Sequence, residues 1–474
     1  MINTHKSMTS RRRGGTGLAV AVALLAAGCS DSLVVENPDI LPPEALEGAA
    51  AIPTIHAGII GDFSFAVVGD AGGTEGIISV TGSITDELGN SETFPTRKEY
   101  DIRAMLDNNG TLTTIFRNLH RARRAAERGA EQIKAAAPNL ATETRIAEAY
   151  NLAGMTYLYL AEAYCSGVPI SDADPVSGEL VFGPSLSTAQ LIQRAIDFAD
   201  SATKYAVNSA QTNFALIVKA RALVNQGKAQ FGAAAALVAA VPTTFRYNTT
   251  HTNAQNRQWN GVNAFINQFE RFSLVNFDGT NGIAFMEAND PRIPWIRTPA
   301  NDFGFDGTTP QFDQGIYPLE TAPLPIASGI EARLIEAEAA LDAGDATTWL
   351  AKLNELRATT TLYPNVAGTI YPDFNDLAPL DDPGTPEART DLMFRERAFW
   401  LFLTGHRMGD LRRLITQYGR TEANTFPGGG GKPYIINGNN KGGTWGTDVA
   451  IPIPLEETNN PNYTPNYPAC KAIA

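Results

Sequence analysis

The stretch FRERAFWLFLTGHRMGDLRR, residues 394–413, sets five arginines, a histidine and two acids around a strongly apolar run. Side chains of these types, at this density, can move protons, hold an anion, or form buried ion pairs between helices. The spacing favours the last. Leu392, Phe399, Phe402 and Leu403 supply an apolar stripe, and Gly405 breaks the helix. Asp410 stands near the start of a second helix that carries Leu411 and Leu414 inward. Glu396 and Asp410 are then placed to pair with nearby arginines and to fix the angle between the two helices.

Other chemistry-bearing patterns point to no reactive centre. GGGGK, residues 428–432, resembles a phosphate loop, but Phe426 stands where the pattern demands Gly, and Pro433 where it demands Ser or Thr. His406 belongs to no His-Glu-x-x-His arrangement, and five histidines in the chain offer no metal-type spacing with cysteine. DFGFDGTTPQFD, residues 302–313, partly fits a calcium loop through Asp302, Asp306, Gly307 and Asp313. Gly304 stands at the third position and the last ligand is Asp rather than Glu, so an Asp/Gly turn is the better reading. No motif marks a carboxylate pair for glycoside hydrolysis. The expectation is a non-enzyme with no catalytic residues, no metal and no cofactor.

Aromatic residues in irregular segments carry more. A sugar ring presents C–H groups that stack on Trp, Tyr or Phe, while Asn, Asp and Arg in the same loops hydrogen-bond its hydroxyls. Residues 241–325 are rich in Asn, Asp, Gly, Phe and Trp without a sustained period, and a loop region of that length is functional or disordered; its aromatic content argues for order. Trp259, Phe277, Arg292 and Trp295 are the candidate ligand-binding residues, against the alternative of a small core under a long loop.

The elements that must position them are helical. Apolar residues recur at three- and four-residue steps over 111–137, 143–164, 189–206, 214–226, 328–343, 347–358 and 386–403. Ala220, Ala222 and Gly227, followed by the Ala-rich stretch ending at Pro242, resemble half of a tetratricopeptide-like unit, with small residues where helices cross closely. The expected fold is all-α, with long irregular excursions at 241–325 and 419–446. With 474 residues, 43% hydrophobic and 18% charged, the chain can bury a large core. Its net charge is −13, and leaving out residues 1–28, which carry four bases and no acid, deepens this to −17. Nucleic-acid binding, which needs a basic face, is excluded.

The N-terminus reads as an export signal over residues 1–28. Arg11 to Arg13 precede an apolar run, Leu18 to Ala27, too short to span a bilayer. LLAAGC resembles a bacterial lipobox, which makes Cys29 the lipid-attachment residue, favours an outer-membrane anchor, and leaves residues 29–53 as an acidic, Pro-dotted tether. Cys165 and Cys470 remain, to form one disulfide or stay free.

In order along the chain, CSDSLVVENPD, TDELG, AEAYNLAGMTYLYLAEAYCSGVPI, NDPRI, EARLIEAEA and IPIPLEETNNPNYTPN are similar to landmarks of the SusD/RagB family. The opening stretch is similar to the family pattern at Glu396, Arg397, Gly405, His406, Arg407, Asp410, Leu411, Arg412 and Arg413, with Trp400 and Thr404 in place of two glutamates. The resemblance covers residues 29–474. It implies a mostly α-helical scaffold of four tetratricopeptide-like helix pairs, with a loop-built binding site. It also implies a surface-exposed outer-membrane lipoprotein that captures a nutrient, such as an oligosaccharide, for a SusC-like TonB-dependent transporter. A scaffold that binds a protein partner and no small ligand is the other reading.

Overall fold

The computed structural model describes residues 47–174, 177–276, 279–297, 302–362 and 377–464. Cys29 and Phe277 lie outside them, as does Cys470; Cys165 is buried and disulfide-bonded. Ala49–Ala51 form one 3-10 turn, and the body of the protein runs from Ile52.

Helices dominate the body. In chain order they are α1 Ile52–Val68, α2 Ile77–Ile84, α3 Pro95–Asp101, α4 Gly110–Ala136, α5 Thr144–Ala163, α6 Thr188–Tyr205, α7 Ser209–Gln226, α8 Phe231–Val238, α9 Gly329–Asp342, α10 Ala346–Ala358, α11 Pro386–Trp400 and α12 Arg407–Tyr418. The expected all-α scaffold is therefore observed, and the longer helices start where side chains can satisfy their free N–H groups. Asn109, Asn208, Ser328, Asp345 and Thr385 each accept a hydrogen bond from a first-turn amide, and Ser187 with Gln190 forms a reciprocal capping box. Successive helices α4 to α10 pack on one another, and α1 packs on α4. The apolar stripes meet in one continuous core, with Ala153, Ala195, Ala199, Ala220 and Ala222 fully buried where backbones approach closely.

Three helices depart from the periodicity reading. α2 is buried at all eight positions, so it has no polar face to mark a helical period. α1, IPTIHAGIIGDFSFAVV, is apolar on most of its circumference and starts two residues inside the segment expected as tether. α3 has only seven residues, with Pro95 at its first turn.

The excursion at 241–325 is tied at its neck. β2 Arg246–Thr249 pairs antiparallel with β6 Leu324–Ser328, and a register shift falls between Pro325 and Ala327. Within the excursion, β3 Phe272–Leu274 pairs with β1 Leu88–Asn90, and β4 Trp295–Ile296 pairs with β5 Asp313–Gln314. The second excursion ends in a hairpin of β7 Pro433–Ile436 and β8 Asn439–Thr444. Phe265, Phe272, Phe285 and Ile293 are buried, so the irregular middle has its own apolar floor on the helical scaffold.

Candidate ligand-binding site

The segment 302–314 forms a wall within the excursion. Phe303 bridges to Pro310, and Gly304 N–H donates to the Thr309 carbonyl at 2.9 Å. Gly304 is required by close approach: a Cβ there would lie 2.3 Å from Ser91 Cβ. The Asp306 carboxylate accepts from Thr308 N–H and Thr309 N–H, both at 2.8 Å, from Thr309 Oγ1 at 2.6 Å, and from Lys441 of β8. An acid whose oxygens are occupied in this way is a turn anchor, in line with the Asp/Gly-turn reading of DFGFDGTTPQFD. From the other side the Asn437 amide, on a residue at φ 49°, donates to Leu274 O at 2.9 Å and Pro310 O at 3.2 Å.

Two aromatic surfaces include residues of this wall, one exposed and one lining a cavity. On the outer one, Phe94 and Phe305 are 51% and 53% exposed, and the Arg271 guanidinium stacks over Phe305 at 3.5 Å while reaching Phe94 at 5.7 Å. Phe303 is also exposed. Arg271 is held by Glu92, Nη1 to Oε2 at 3.0 Å. Nearby carboxylates crowd one another. Burial pushes the Asp313 carboxyl up to about 6, with Glu270 and Asp302 adding to the rise against a hydrogen bond from Gln311. Burial and Asp302 likewise raise Glu270. The surface thus combines open ring faces with acceptors and a guanidinium, the groups that recognise a polyhydroxylated ring.

On the inner side lies a cavity of about 330 Å³, lined by Trp295, Phe312, Asn276, Met286, Glu287, Asn437 and Gly438. Trp295 meets Phe312 edge-on, with centroids 5.6 Å apart. The Asn276 side chain accepts from Glu287 N–H at 3.1 Å, and the Asn276 backbone N–H donates to Asn437 Oδ1 at 3.3 Å, so the polar rim is held by one bond within the first excursion and one that joins it to the second.

The candidate residues fall in different places. Trp295 lines this cavity. Arg292 is 4% exposed: its Nε and Nη2 bind Asp290 at 2.8 and 2.6 Å, and its Nη1 and Nη2 bind Glu396 of α11 at 2.7 and 3.2 Å. It also stacks on Phe399 and Trp400. Its fork clamps the middle onto α11, although one edge borders a second cavity of about 290 Å³. Trp259 is half-buried after a 3-10 turn, and its Nε1 has no hydrogen-bond partner among the described residues. Phe94, Phe303 and Phe305 were not anticipated. The signal for the last two lay inside DFGFDGTTPQFD, where the spacing of the acids drew attention away from two phenylalanines in a polar turn.

The ion-pairing side chains of residues 394–413 form no open site, although Trp400 and Thr404 of this stretch line the second cavity. Glu396, Arg397, His406, Arg407, Asp410 and Arg413 are all buried and paired, Arg407 with Asp86 and Arg413 with Glu338. Thr404, where the family pattern has glutamate, bonds His406 Nδ1 at 2.8 Å instead. The GGGGK turn packs on Trp445, and Gly431 N–H donates to its carbonyl at 2.8 Å.

No protein-family model matches the chain, and no curated protein does. Solved structures do. A SusD superfamily protein from Parabacteroides distasonis aligns with a TM-score of 0.61 at 12% identity, over 87% of this chain and 98% of its own. One from Bacteroides fragilis aligns at 0.58 and 15% identity, over 88% and 99%. A SusD-like carbohydrate binding protein from Bacteroides vulgatus aligns at 0.52 and 14% identity, over 77% and 84%. At these identities the likeness is one of fold, and it covers most of the chain: this chain has the SusD-like fold.

Proposed function

We propose that this protein is a non-enzymatic substrate-binding lipoprotein of the outer membrane. It captures an oligosaccharide and passes it to a SusC-like TonB-dependent transporter, with Cys29 carrying the lipid. The observation that carries the reading is the pair of aromatic groups, Phe94 with Phe305 and Trp295 with Phe312, both joined to the hydrogen-bonded segment 302–314. The fold is shared with a carbohydrate binding protein, which supports a sugar as the ligand. Ring faces flanked by amides and carboxylates suit a neutral or weakly charged glycan, and the hydrogen-bonded turns keep them in place before ligand arrives.

The test is a panel of oligosaccharides titrated into the mature protein by calorimetry, with tryptophan fluorescence as the local signal. Binding that quenches fluorescence and weakens in Trp295→Ala supports the reading; a protein that binds no member of the panel overturns it. Cys29→Ala is expected to release the protein from membranes, and persistence in the membrane fraction would count against the anchor. Incubation with the bound glycan should release no product.

One feature favours a protein partner alongside the glycan. Leu180, Val181 and Phe182 are 59%, 52% and 39% exposed in sequence succession, and contiguous apolar surface of this kind marks protein contact. A protein that bound only such a partner would be a scaffold rather than a receptor.

A further inference from the structure

The second cavity, beside Arg292, has a different character from the aromatic wall. Its volume is about 290 Å³, near the lower end of ligand-pocket sizes and enough for a single sugar ring. Arg246 of β2 reaches it with no carboxylate partner among the described residues; its guanidinium makes one hydrogen bond, from Nη2 to the Leu362 carbonyl at 3.2 Å. The residue is exposed at the mouth, yet enough wall surrounds its guanidinium to hold its pKa below the ordinary arginine value. Asn248 and Thr361 share the lining, and neither side chain makes a hydrogen bond among the described residues. Pro323, Pro325 and Trp400 complete an apolar side.

The surroundings carry more base than acid. Asp290 and Glu396 are already engaged by Arg292 and Arg357. Arg395 stacks on Phe399 at 4.7 Å with no ion pair among the described residues, and burial, then the charges of Arg292 and Arg357, push its pKa down. Of the two arginines that line the cavity, Arg292 is spent on Asp290 and Glu396, which leaves Arg246 as a cavity-lining guanidinium with no carboxylate partner among the described residues in a chain of net charge −13.

We propose that this cavity is a subsite for a carboxylate-bearing sugar, a uronic acid. Arg246 takes the carboxylate, Asn248 and Thr361 its hydroxyls, and the Pro323–Trp400 side its ring face. A guanidinium presents parallel N–H groups that match a carboxylate, and Arg246 has donors left for a bidentate pair. A free amide and a free hydroxyl supply both donors and acceptors, which a bare anion would not need.

The subsite does not rest on the ring platform of Phe94 and Phe305, and the experiment separates the two. D-glucuronate, D-glucose and inorganic sulfate are titrated separately into the full mature protein by calorimetry and saturation-transfer NMR. Glucuronate is expected to bind at least tenfold tighter than glucose and tighter than sulfate. Arg246→Gln should abolish the preference, and Arg246→Lys, which keeps the charge but loses the fork, should retain part of it. Asn248→Ala should weaken glucuronate binding without affecting sulfate, and gives a second reading should Arg246→Gln fail to fold. Equal affinity for glucose and glucuronate, unchanged glucuronate binding in both Arg246→Gln and Asn248→Ala, or no glucuronate binding by the wild type overturns the proposal. Sulfate binding as tightly as glucuronate reduces the cavity to a plain anion hole and also overturns it. Neutral oligosaccharide binding through Trp295 with no response to glucuronate would remove this subsite and leave the proposed function standing.

Discussion

Arg397 of α11 and Asp410 of α12 meet through two parallel hydrogen bonds, Nε to Oδ2 at 2.8 Å and Nη2 to Oδ1 at 2.9 Å. Both residues are buried, and Asp410 also accepts from Arg413 Nη2 at 3.0 Å. Arg413 in turn binds Glu338 of α9, Nη1 to Oε1 at 2.6 Å. The pair is therefore the joint at which two consecutive helices are locked to each other and to the helical scaffold.

Removing one side of this joint should be costly. Burial by itself would raise the Asp410 pKa, but Arg397 and Arg413 outweigh it and hold the carboxyl below the usual range. Asp410→Ala takes from the buried Arg397 its bidentate acid, while Arg413 keeps Glu338, and the expected loss of stability is about 3–5 kcal/mol by denaturant unfolding. The double variant Arg397→Met with Asp410→Leu should recover much of the loss, because no charge is then stranded. A single variant as stable as wild type would mean that the pair does not hold the helices.

Glu87 should make stability depend on pH. Burial pushes its carboxyl up to about 8, against the hydrogen bond from Leu403 N–H at 2.8 Å, which favours the charged form. Its Oε2 is buried with no hydrogen-bond partner among the described residues, which penalises the charged form. The folded state therefore binds a proton that the unfolded state has released above the ordinary glutamate pKa. The stabilisation is full below that pKa and is lost as pH rises to about 8, with a slope of up to about 1.4 kcal/mol per pH unit. Melting curves from pH 5 to 9 should show wild type losing stability relative to Glu87→Gln across that window. Parallel curves would show that Glu87 is ionised in the fold.

Most of the helical frame was legible because amphipathic stripes are local signals, but the stripe places the start of α7 at 214, inside the helix, because its Asn208 cap and polar first turn carry no apolar period. α2 was not legible, since a helix buried on every side carries no period. The site was less legible, for a physical reason. Arg292 and Trp295 are three residues apart and look alike as loop residues with binding chemistry. One is spent on Asp290 and Glu396, and the other lines a cavity. Which fate each meets depends on α11, about a hundred residues later in the chain. Phe94 and Phe305 join only because Arg271 lies between them, a relation that no spacing announces.

The GGGGK turn permits a test with an internal control. Gly428 and Gly431 both have left-handed backbones, φ 78° and 72°, so alanine strains either by about 1–2 kcal/mol. At Gly431 a Cβ meets nothing within 4 Å, whereas at Gly428 it would lie 2.0 Å from Trp445 Cγ. Gly428→Ala should therefore lose about 1–3 kcal/mol more than Gly431→Ala, with a change in Trp445 fluorescence. Equal losses would place the whole cost in the backbone.

The outer ring platform is tested at Phe305. One ring face is covered by Arg271 at 3.5 Å, and at 53% exposure a large part of the side chain remains open to a sugar. Nothing in the core rests on it, so Phe305→Ala should leave the melting temperature nearly unchanged, unlike truncation of the buried Phe272. Loss of one stacking face, worth about 0.5–1.5 kcal/mol, should weaken oligosaccharide binding by roughly three- to tenfold. Leu140→Ala, at a position 43% exposed in the turn between α4 and α5, should change neither stability nor affinity and controls for general surface effects. Phe305→Tyr keeps the ring and should restore binding. Should Phe305→Ala bind as tightly as wild type while Trp295→Ala does not, the ligand sits in the inner cavity and the outer rings serve another purpose.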